Sequence, residues 1–368
     1  MTTMKQCSVN RQQSQGTPAV ALVGLATTAL AASALWWASA AAGRDKPRAV
    51  ASRVVLRDSA VGDQDDMCIW VHPTQPALST VITSDKSAGR LFVYDLTGRT
   101  IQSVPAGHPG NIDLRYGFPL GGAKVDVVAF NERRADQVWV YAVDPATRKL
   151  RRVDDGKIDT GSNYGGTLYR SVKTGKLYFL TTCRTAEQYE LFDNGAGKVA
   201  GRKVREWKIG YTEGAVGDDE AGKIYTGEEG RGVWEVGGEP NDPTPGKLVA
   251  PVGSHGLRPD VEGLAIYHLP GGKGYLLVSN QSRDRFNVYR RTGAHEYLGT
   301  FSVQGAGDTD GIDVTNAALG PGFGKGLFAC HSGTLGRCPV ILARWDDVAA
   351  AVTPPLKVDT SRDPRKCR

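Results

Sequence analysis

The sequence predicts an all-β fold, a six-bladed β-propeller, from a repeat and from composition. Short alternating strands that end in an aromatic residue recur about every 50 residues, a spacing typical of propeller blades. The 46 glycines and 19 prolines fit a turn-rich β protein. A two-sheet sandwich with a second domain is the alternative, which the regular spacing disfavours. The six marks lie at 91–94, 138–141, 187–189, 232–234, 286–289 and 342–345.

The propeller is expected to span 54–352, with distinct segments on either side. Residues 1–42 contain Lys5 and Arg11 but no acidic residue, and an apolar stretch ends in small residues at 38–42. This pattern predicts a signal peptide, or an uncleaved membrane anchor over 18–42. A linker at 43–53 and a loose C-terminal tail at 353–368 complete the predicted organisation. We therefore expect a secreted or extracytoplasmic protein.

Charge and cysteine content narrow the set of partners and the compartment. The net charge is +6, but no run of basic residues occurs, which argues against nucleic-acid binding. No protein partner is evident, and a monomer is expected. The six cysteines are consistent with an oxidising compartment. Cys330 and Cys338 are close in sequence and form the predicted disulfide.

Acidic clusters beside glycines recur near the ends of predicted strands in several blades. Carboxylates at positions i and i+2 supply the oxygen ligands that a calcium ion needs, and propeller loops converge at one end of the central channel. Lys86, Arg133 and Arg184 lie near these clusters and suit a phosphate-bearing substrate. The sequence therefore predicts a metal-lined channel mouth that binds an anion. The clusters are at 63–66, 212–214, 227–230, 260–263 and 308–313.

The order of these motifs resembles the β-propeller phytases, the calcium-dependent 3-phytase family. The acidic cluster that runs into Ile69 and Trp70, followed by Asn-Ile-Asp-Leu-Arg-Tyr at 111–116, is similar to the paired signature of that family. The resemblance covers nearly the whole chain after residue 54. Further matching segments are 117–120, 124–126, 164–165, 188–191, 212–214, 260–264 and 308–314.

The resemblance implies a role for each matching residue. Calcium ions at the channel mouth would be held by Asp65, Glu213, Glu229, Asp260, Glu262 and Asp310. Substrate phosphates would be bound by Lys86, Arg133, Tyr164 and Arg184, where Arg184 stands in place of a lysine. A buried calcium site that ties blades together would use Asp66 with the backbone carbonyls of Met67 and Ile112.

The implied reaction is hydrolysis of phosphate monoesters of myo-inositol hexakisphosphate, presented as calcium–phytate. A calcium-bound water attacks phosphorus, and Asp65 or Glu213 orients that water. The basic residues hold an adjacent phosphate, so that neighbouring phosphates on one substrate are preferred. The catalytic set is therefore expected to be Asp65, Glu213, Lys86 and Arg133.

Several positions depart from the family pattern. Met67 and Cys68 replace a Pro-Ala pair, and Thr185 and Gln304 stand where Glu and Asp are expected. His331 and Ser332 replace an amide and a carboxylate. These changes reduce the ligand set of at least one calcium site. They leave two alternatives: a non-catalytic calcium- or phosphate-binding propeller, and a propeller hydrolase of another type, such as a lactonase.

Overall fold

The computed structural model describes residues 47–243 and 246–366, and within them the chain forms 25 strands in six sheets. The predicted signal or anchor segment lies outside the described residues. The first strands are β1 Arg48–Val50, β2 Val54–Leu56, β3 Gln64–Trp70, β4 Thr80–Asp85, β5 Arg90–Asp95, β6 Thr100–Pro105, β7 Pro109–Leu120, β8 Ala123–Glu132, β9 Gln137–Asp144, β10 Lys149–Arg152, β11 Gly165–Arg170, β12 Leu177–Thr182 and β13 Thr185–Asp193.

The second half of the chain continues the same pattern. Its strands are β14 Val199–Lys208, β15 Thr212–Asp218, β16 Lys223–Glu228, β17 Gly232–Gly237, β18 Lys247–Pro251, β19 Val261–His268, β20 Gly274–Asn280, β21 Arg285–Arg290, β22 Tyr297–Val303, β23 Ile312–Thr315, β24 Leu327–His331 and β25 Val340–Arg344. A short helix, α1 Trp345–Ala351, follows β25, and 3-10 turns occupy Pro76–Leu78, Ser254–Gly256 and Gln281–Arg283.

Each sheet is one blade of a six-bladed propeller. Blades 1 to 5 each contain four consecutive antiparallel strands, and blade 6 contains three. These sets are β3–β6, β7–β10, β11–β14, β15–β18, β19–β22 and β23–β25. The innermost strand of each blade contacts the innermost strand of the next, and β23 of blade 6 contacts β3 of blade 1. The ring is therefore closed around a central channel, as the all-β prediction requires.

The N-terminal strands complete the last two blades. Strand β2 pairs antiparallel with β25 and becomes the outer strand of blade 6, so that the two ends of the propeller share one sheet. Strand β1 pairs parallel with β22 and adds a fifth strand to blade 5. The predicted start of the propeller at residue 54 coincides with β2. The predicted linker, however, includes β1, whose Val50 is buried in the adjoining core.

The predicted repeat marks identify the same position in every blade. The first five lie on β5, β9, β13, β17 and β21, each the third strand of its blade, and the sixth spans the end of β25 and the start of α1. These strands are largely buried on both faces because each blade packs against neighbours on both sides. Phe130 and Tyr141 of blade 2, for example, pack with Trp70 and Val93 of blade 1. The six-bladed prediction is confirmed.

The described part of the C-terminal tail, 353–366, is packed, and the expectation of a loose tail is wrong for these residues. Backbone N–H groups of Lys357 and Asp359 donate to the hydroxyls of Tyr275 and Tyr267 at 2.8 and 3.1 Å. Arg365 forms a bidentate pair with Asp126, at 2.7 and 3.1 Å. The charged composition was misleading because Arg365 pairs with a carboxylate that is itself buried in blade 2.

The predicted disulfide between Cys330 and Cys338 is also wrong, since both thiols are free. Cys330 lies within β24 and is fully buried in the apolar core between blades 5 and 6. The Cys338 thiol lies in the loop before β25, 3.7 Å from the carbonyl oxygen of Gly333. The two side chains therefore occupy different environments although they are close in sequence. Among the described residues, no helix has the length and apolar character needed to cross a membrane.

Arg365 provides a test of the packed tail. Replacing Arg365 by alanine removes its pair with Asp126 and its contact over the Tyr116 ring. We expect the free energy of unfolding to fall by about 2 kcal/mol, the value typical of hydrogen bonds to charged groups. Lys366→Ala is the matched control because Lys366 is exposed, and it should change stability by less than about 0.5 kcal/mol. Equal urea midpoints for both variants would contradict a tail that stabilises the propeller.

Candidate active site

The predicted carboxylates meet at one mouth of the central channel. Asp65 lies at the start of β3, Glu213 at the start of β15 and Glu262 at the start of β19, while Asp310 comes shortly before β23. Because inner strands of successive blades run in the same direction around the channel, their first residues share one end. Glu229, which follows β16, belongs to the same cluster.

Glycines next to these carboxylates let the blades approach closely. A Cβ atom on Gly214 would overlap the carbonyl oxygen of Glu262, and one on Gly263 would overlap that of Asp310. The N–H of Gly263 donates to the Asp310 carbonyl at 2.8 Å, and the N–H of Gly311 donates to the Asp65 carbonyl at 3.0 Å. The glycines of the acidic-Gly pairs are therefore needed for close packing of the blades.

Lys86 and Arg133 bind opposite oxygens of the Asp65 carboxylate. Lys86 Nζ lies 2.7 Å from Asp65 Oδ1 and 2.9 Å from Asp310 Oδ2. Arg133 Nη2 lies 3.0 Å from Asp65 Oδ2 and also pairs with Glu213. Burial favours the neutral form of Asp65, but the two cations outweigh it and hold the pKa of Asp65 below its usual value. Asp65 is therefore the ionised centre of the site.

A row of stacked side chains extends from Arg133 to Arg184. The Arg133 guanidinium lies 4.8 Å from the centre of the Tyr164 ring, which stacks on Tyr211 at 5.0 Å. Arg184 lies over the other tyrosine, 5.1 Å from the centre of the Tyr211 ring. The structure thus brings together the four predicted phosphate-binding residues. Tyr211 was missed, although it directly precedes the Thr-Glu-Gly motif.

Three further carboxylates crowd together beside Asp65, and among the described residues only Glu213 has an ion-pair partner, Arg133. Oxygens of Glu213, Glu229 and Glu262 all lie within 4.8 Å of one another. Burial, Asp260 and Glu213 raise the pKa of Glu229 to about 8. Burial raises the pKa of Glu213 to about 7, and burial with the Glu213 charge raises that of Glu262. Glu229 Oε1 is buried without a hydrogen-bond partner. A divalent cation would relieve this repulsion.

Asp66 lies below the mouth, between blades 1, 2 and 6. Its Oδ2 accepts a hydrogen bond from the N–H of Ile112 at 3.1 Å, and its side chain packs against the backbone of Gly311. Burial raises the pKa of Asp66 well above its usual value. Asp66 therefore contacts the backbone of Ile112 and directly precedes Met67 on β3. The calcium ion at this position stays a prediction.

The residues that depart from the family pattern are spread over different surroundings. Gln304 is exposed, and Ser332 Oγ donates to the Gly305 carbonyl at 2.6 Å. Thr185 begins β13 beside Arg184. His331 is buried at the mouth, where its Nδ1 accepts a hydrogen bond from the N–H of Asp310 at 3.1 Å.

Gln281 is a further residue of the site that the sequence did not reveal. Its side-chain amide donates to Asp310 Oδ1 at 2.6 Å. It lies in the 3-10 turn after β20, away from the acidic motifs, so only the folded chain brings it to Asp310.

The fold and this mouth define a class: a six-bladed β-propeller in which crowded carboxylates lie beside arginine, lysine and tyrosine side chains at the end of the channel. A family model described as Phytase matches residues 16–368. The 3-phytase of Bacillus subtilis (strain 168) is 41% identical over 291 residues, which cover 74% of this chain and 76% of that protein. The chain therefore belongs to the phytase family and is an enzyme.

Solved structures with lower similarity were also found. A regucalcin from Agrobacterium tumefaciens, titled a calcium-binding protein, is 12% identical with a TM-score of 0.49, over 80% of this chain and 95% of its own. A luciferin-regenerating enzyme is 15% identical with a TM-score of 0.49, over 79% of this chain and 95% of its own.

The crowded carboxylates predict how stability depends on pH when no divalent cation is present. A carboxyl whose pKa is raised by folding adds stability at low pH and loses it as the pH rises through the folded-state pKa. For Glu229 this loss falls between about pH 5 and pH 8. In a chelator, Glu229→Gln should therefore melt on the order of 5 °C above the unmodified protein at pH 8, because each pKa unit corresponds to about 1.4 kcal/mol.

At pH 5 the same two proteins should melt together, since Glu229 is then protonated in the folded state. Exposed Glu296, which pairs with Arg290 on the surface, gives the control variant Glu296→Gln. Differential scanning calorimetry from pH 5 to pH 8 measures the difference. A difference that does not grow with pH would mean that Glu229 is not crowded by the other carboxylates.

Proposed function

We propose that this member of the phytase family hydrolyses phosphate monoesters of myo-inositol hexakisphosphate and depends on calcium. The observation that carries the proposal is that a cluster of carboxylates and a pair of basic side chains lie side by side at one mouth of the channel. Glu213, Glu229 and Glu262 lack sufficient positive charge, whereas Lys86 and Arg133 carry charges that can bind phosphate. The carboxylates would therefore bind a cation, and the basic side chains would bind the phosphate groups of the substrate.

The donor set of the mouth fits calcium. The buried Glu229 Oε1 has no hydrogen-bond partner, and the surrounding ligand atoms are carboxylate oxygens, which calcium prefers. When bound, calcium would neutralise phosphate charge and activate a water molecule for in-line attack at phosphorus. The residues that would hold it are Asp65, Glu213, Glu229, Asp260, Glu262 and Asp310.

Electrostatics explain why the activity would require a cation. Carboxylates outnumber the basic side chains at the mouth, and Lys86 and Arg133 are both engaged by Asp65. An inositol phosphate carries several negative charges and is repelled by such a site. Once cations hold the carboxylates, Lys86 and Arg133 can turn their N–H groups to the substrate. The same residues thereby couple cation binding to phosphate binding.

The basic side chains are arranged for two neighbouring phosphates. Lys86 and Arg133 flank Asp65, while Arg184 is displaced along the stack of Tyr164 and Tyr211. We infer that Lys86 and Arg133 bind the phosphate that is cleaved and that Arg184 binds an adjacent one. Holding the second phosphate positions the first, which lowers the entropic cost of reaction. Substrates with adjacent phosphates would then react faster than isolated monoesters.

Asp65 and Glu213 are the candidates for orienting the attacking water. The Arg133 guanidinium pairs with both carboxylates. A phosphate bound to Arg133 would therefore lie close to Asp65 and to Glu213. Asp65 stays ionised beside two cations and suits the role of a fixed ligand. Glu213, which has Arg133 as its only ion-pair partner among the described residues, suits the role of hydrogen-bond acceptor for water.

We also propose that the protein is exported from the cytoplasm and that it acts as a monomer. The basic start, apolar stretch and small-residue cluster of 1–42 support secretion, or attachment to a membrane by 18–42. Calcium is abundant outside cells, so an extracytoplasmic location agrees with a calcium-dependent reaction.

Phosphate release from phytate tests the activity and its cation together. The purified protein should release phosphate in calcium, lose at least about 100-fold of its rate in a chelator and regain it when calcium is restored. Glu213→Gln should remain inactive in calcium although it keeps its fold. Release that is equal with and without chelator would contradict calcium dependence. No release from the folded, calcium-saturated protein would instead favour the non-catalytic binding propeller.

Arg184 tests the second phosphate position. Arg184→Ala should raise KM for phytate about tenfold with little change in kcat, because one charged hydrogen bond contributes about 1.4 kcal/mol or more. Arg231, which lies over the Trp234 ring at 4.8 Å, is the matched exposed arginine, so Arg231→Ala should leave KM unchanged. On an isolated phosphate monoester, Arg184→Ala should match the unmodified protein. A similar loss on both substrates would contradict a separate adjacent-phosphate position.

A further inference from the structure

Three side chains with different donor atoms meet where blade 6 contacts blade 1. Asp63 precedes β3, His331 ends β24 and Cys338 precedes β25, and one ligand atom of each lies within 4.8 Å of the others. Backbone hydrogen bonds hold this group in place. The N–H of Gln64 donates to the Cys338 carbonyl at 3.0 Å, and the N–H of His331 donates to the Gly311 carbonyl at 3.0 Å.

His331 gives an independent indication that a ligand belongs here. Its side chain is 2% exposed, and its Nε2 is buried without a hydrogen-bond partner. The nearest charged atom is Asp63 Oδ1, at 3.4 Å. A buried ring nitrogen without a partner is costly unless another group satisfies it. This nitrogen lies close to the Asp63 carboxylate and the Cys338 thiol.

The donor chemistry selects the class of ion. Calcium takes six to eight oxygen ligands, and this group offers one carboxylate, one imidazole and one thiol. Nitrogen and sulfur donors suit zinc and similar divalent transition metals. We propose that Asp63 Oδ1, His331 Nε2 and Cys338 Sγ bind a zinc-class divalent cation, with a water in the fourth position. Asp63 and Cys338 are partly exposed, which gives the ion a path from solvent.

Charge and protons balance at this site. Cys338 releases its thiol proton to solvent on binding, so a thiolate and a carboxylate neutralise the dication. The net charge of the three side chains and the ion therefore changes from −1 to zero. Lys86 Nζ, 3.5 Å from Asp63 Oδ2, keeps its contacts with Asp65 and Asp310, which offset the added positive charge. With the metal on Nε2, the ring proton of His331 would lie on Nδ1. That nitrogen would then lose the hydrogen bond that it accepts from the Asp310 N–H and donate instead to Asp310 Oδ2, which lies 3.6 Å away. A carboxylate behind a metal-bound imidazole is a common supporting arrangement.

The site is separate from the Glu213–Glu229–Glu262 cluster but is linked to it. Asp63 shares Lys86 with Asp65 and Asp310, and His331 contacts Asp310 directly. A metal that fixes Asp63 and His331 therefore also limits where Lys86 and Asp310 can move. The channel mouth would then bind two classes of cation: calcium through carboxylate oxygens, and a zinc-class ion through nitrogen and sulfur donors with one carboxylate.

Cobalt(II) tests the proposal because its spectrum reports sulfur ligation without any activity measurement. In excess calcium, the protein should bind one equivalent of Co²⁺ with a near-ultraviolet thiolate-to-cobalt band, and Zn²⁺ should remove that band. Cys338→Ser should lose the band, and His331→Ala should weaken Co²⁺ binding by more than about 100-fold. His255→Ala, which changes an exposed histidine elsewhere, should bind like the unmodified protein.

A second measurement on the unmodified protein avoids dependence on variants that fail to fold. One equivalent of Zn²⁺ should protect Cys338 from alkylation, as read by peptide mass spectrometry, and excess calcium should not. Absence of the cobalt band, its persistence in Cys338→Ser, or alkylation of Cys338 that Zn²⁺ leaves unchanged would each overturn the site.

Discussion

Close contact between the inner strands is the constraint on which the rest of the mouth depends. Where Gly214 and Gly263 face the backbone of the next blade, any side chain would force the blades apart. The carboxylates that precede these glycines are thereby held at one end of the channel, on different blades. Glu213 and Glu262 are close together although each lies at the start of a strand in a different β-sheet. The ring geometry thus sets the spacing of the ligands.

This geometry also brings carboxylates close enough to repel one another, and basic side chains offset that repulsion only in part. Lys86 and Arg133 neutralise the side of the mouth around Asp65. On the side around Glu229, the part of the chain that the structure describes provides no ion pair to this carboxylate, and its buried Oε1 accepts no hydrogen bond there. Burying like charges together raises their pKa values and weakens the fold at neutral pH. A divalent cation would stabilise the propeller and prepare the site at once. Stability and activity would then depend on the same ion.

The sequence predicted the architecture well because propeller blades repeat. Aromatic ends of third strands and acidic-Gly pairs recur with the blade period, so local patterns were sufficient to locate both the strands and Glu213 or Glu262. Contacts without a periodic signal were missed. Gln281 reaches Asp310 from another loop, and β1 joins blade 5 through a pairing with β22 that crosses most of the chain.

Composition was a poor guide wherever a single long-range pair decided the outcome. The tail is charged and rich in proline, yet Arg365 finds the buried carboxylate of Asp126. Cys330 and Cys338 are neighbours in sequence, yet one faces the apolar core and the other faces Asp63. Spacing across a turn does not show which way the side chains on its two sides point, and charge content does not show whether a charged side chain finds a buried partner.

Two of the departures from the family pattern lie together at one side of the mouth. His331 and Ser332 lie at the junction of blades 6 and 1, whereas Glu213, Glu229 and Glu262 lie on blades 4 and 5. Replacing oxygen donors at that junction would remove ligands for calcium there, whereas the His331 imidazole and the Cys338 thiol would offer nitrogen and sulfur donors. Because each blade presents its residues independently, one side of the ring can change the ion it prefers while the other keeps its carboxylates. A loss of family residues at one junction is therefore compatible with a working enzyme.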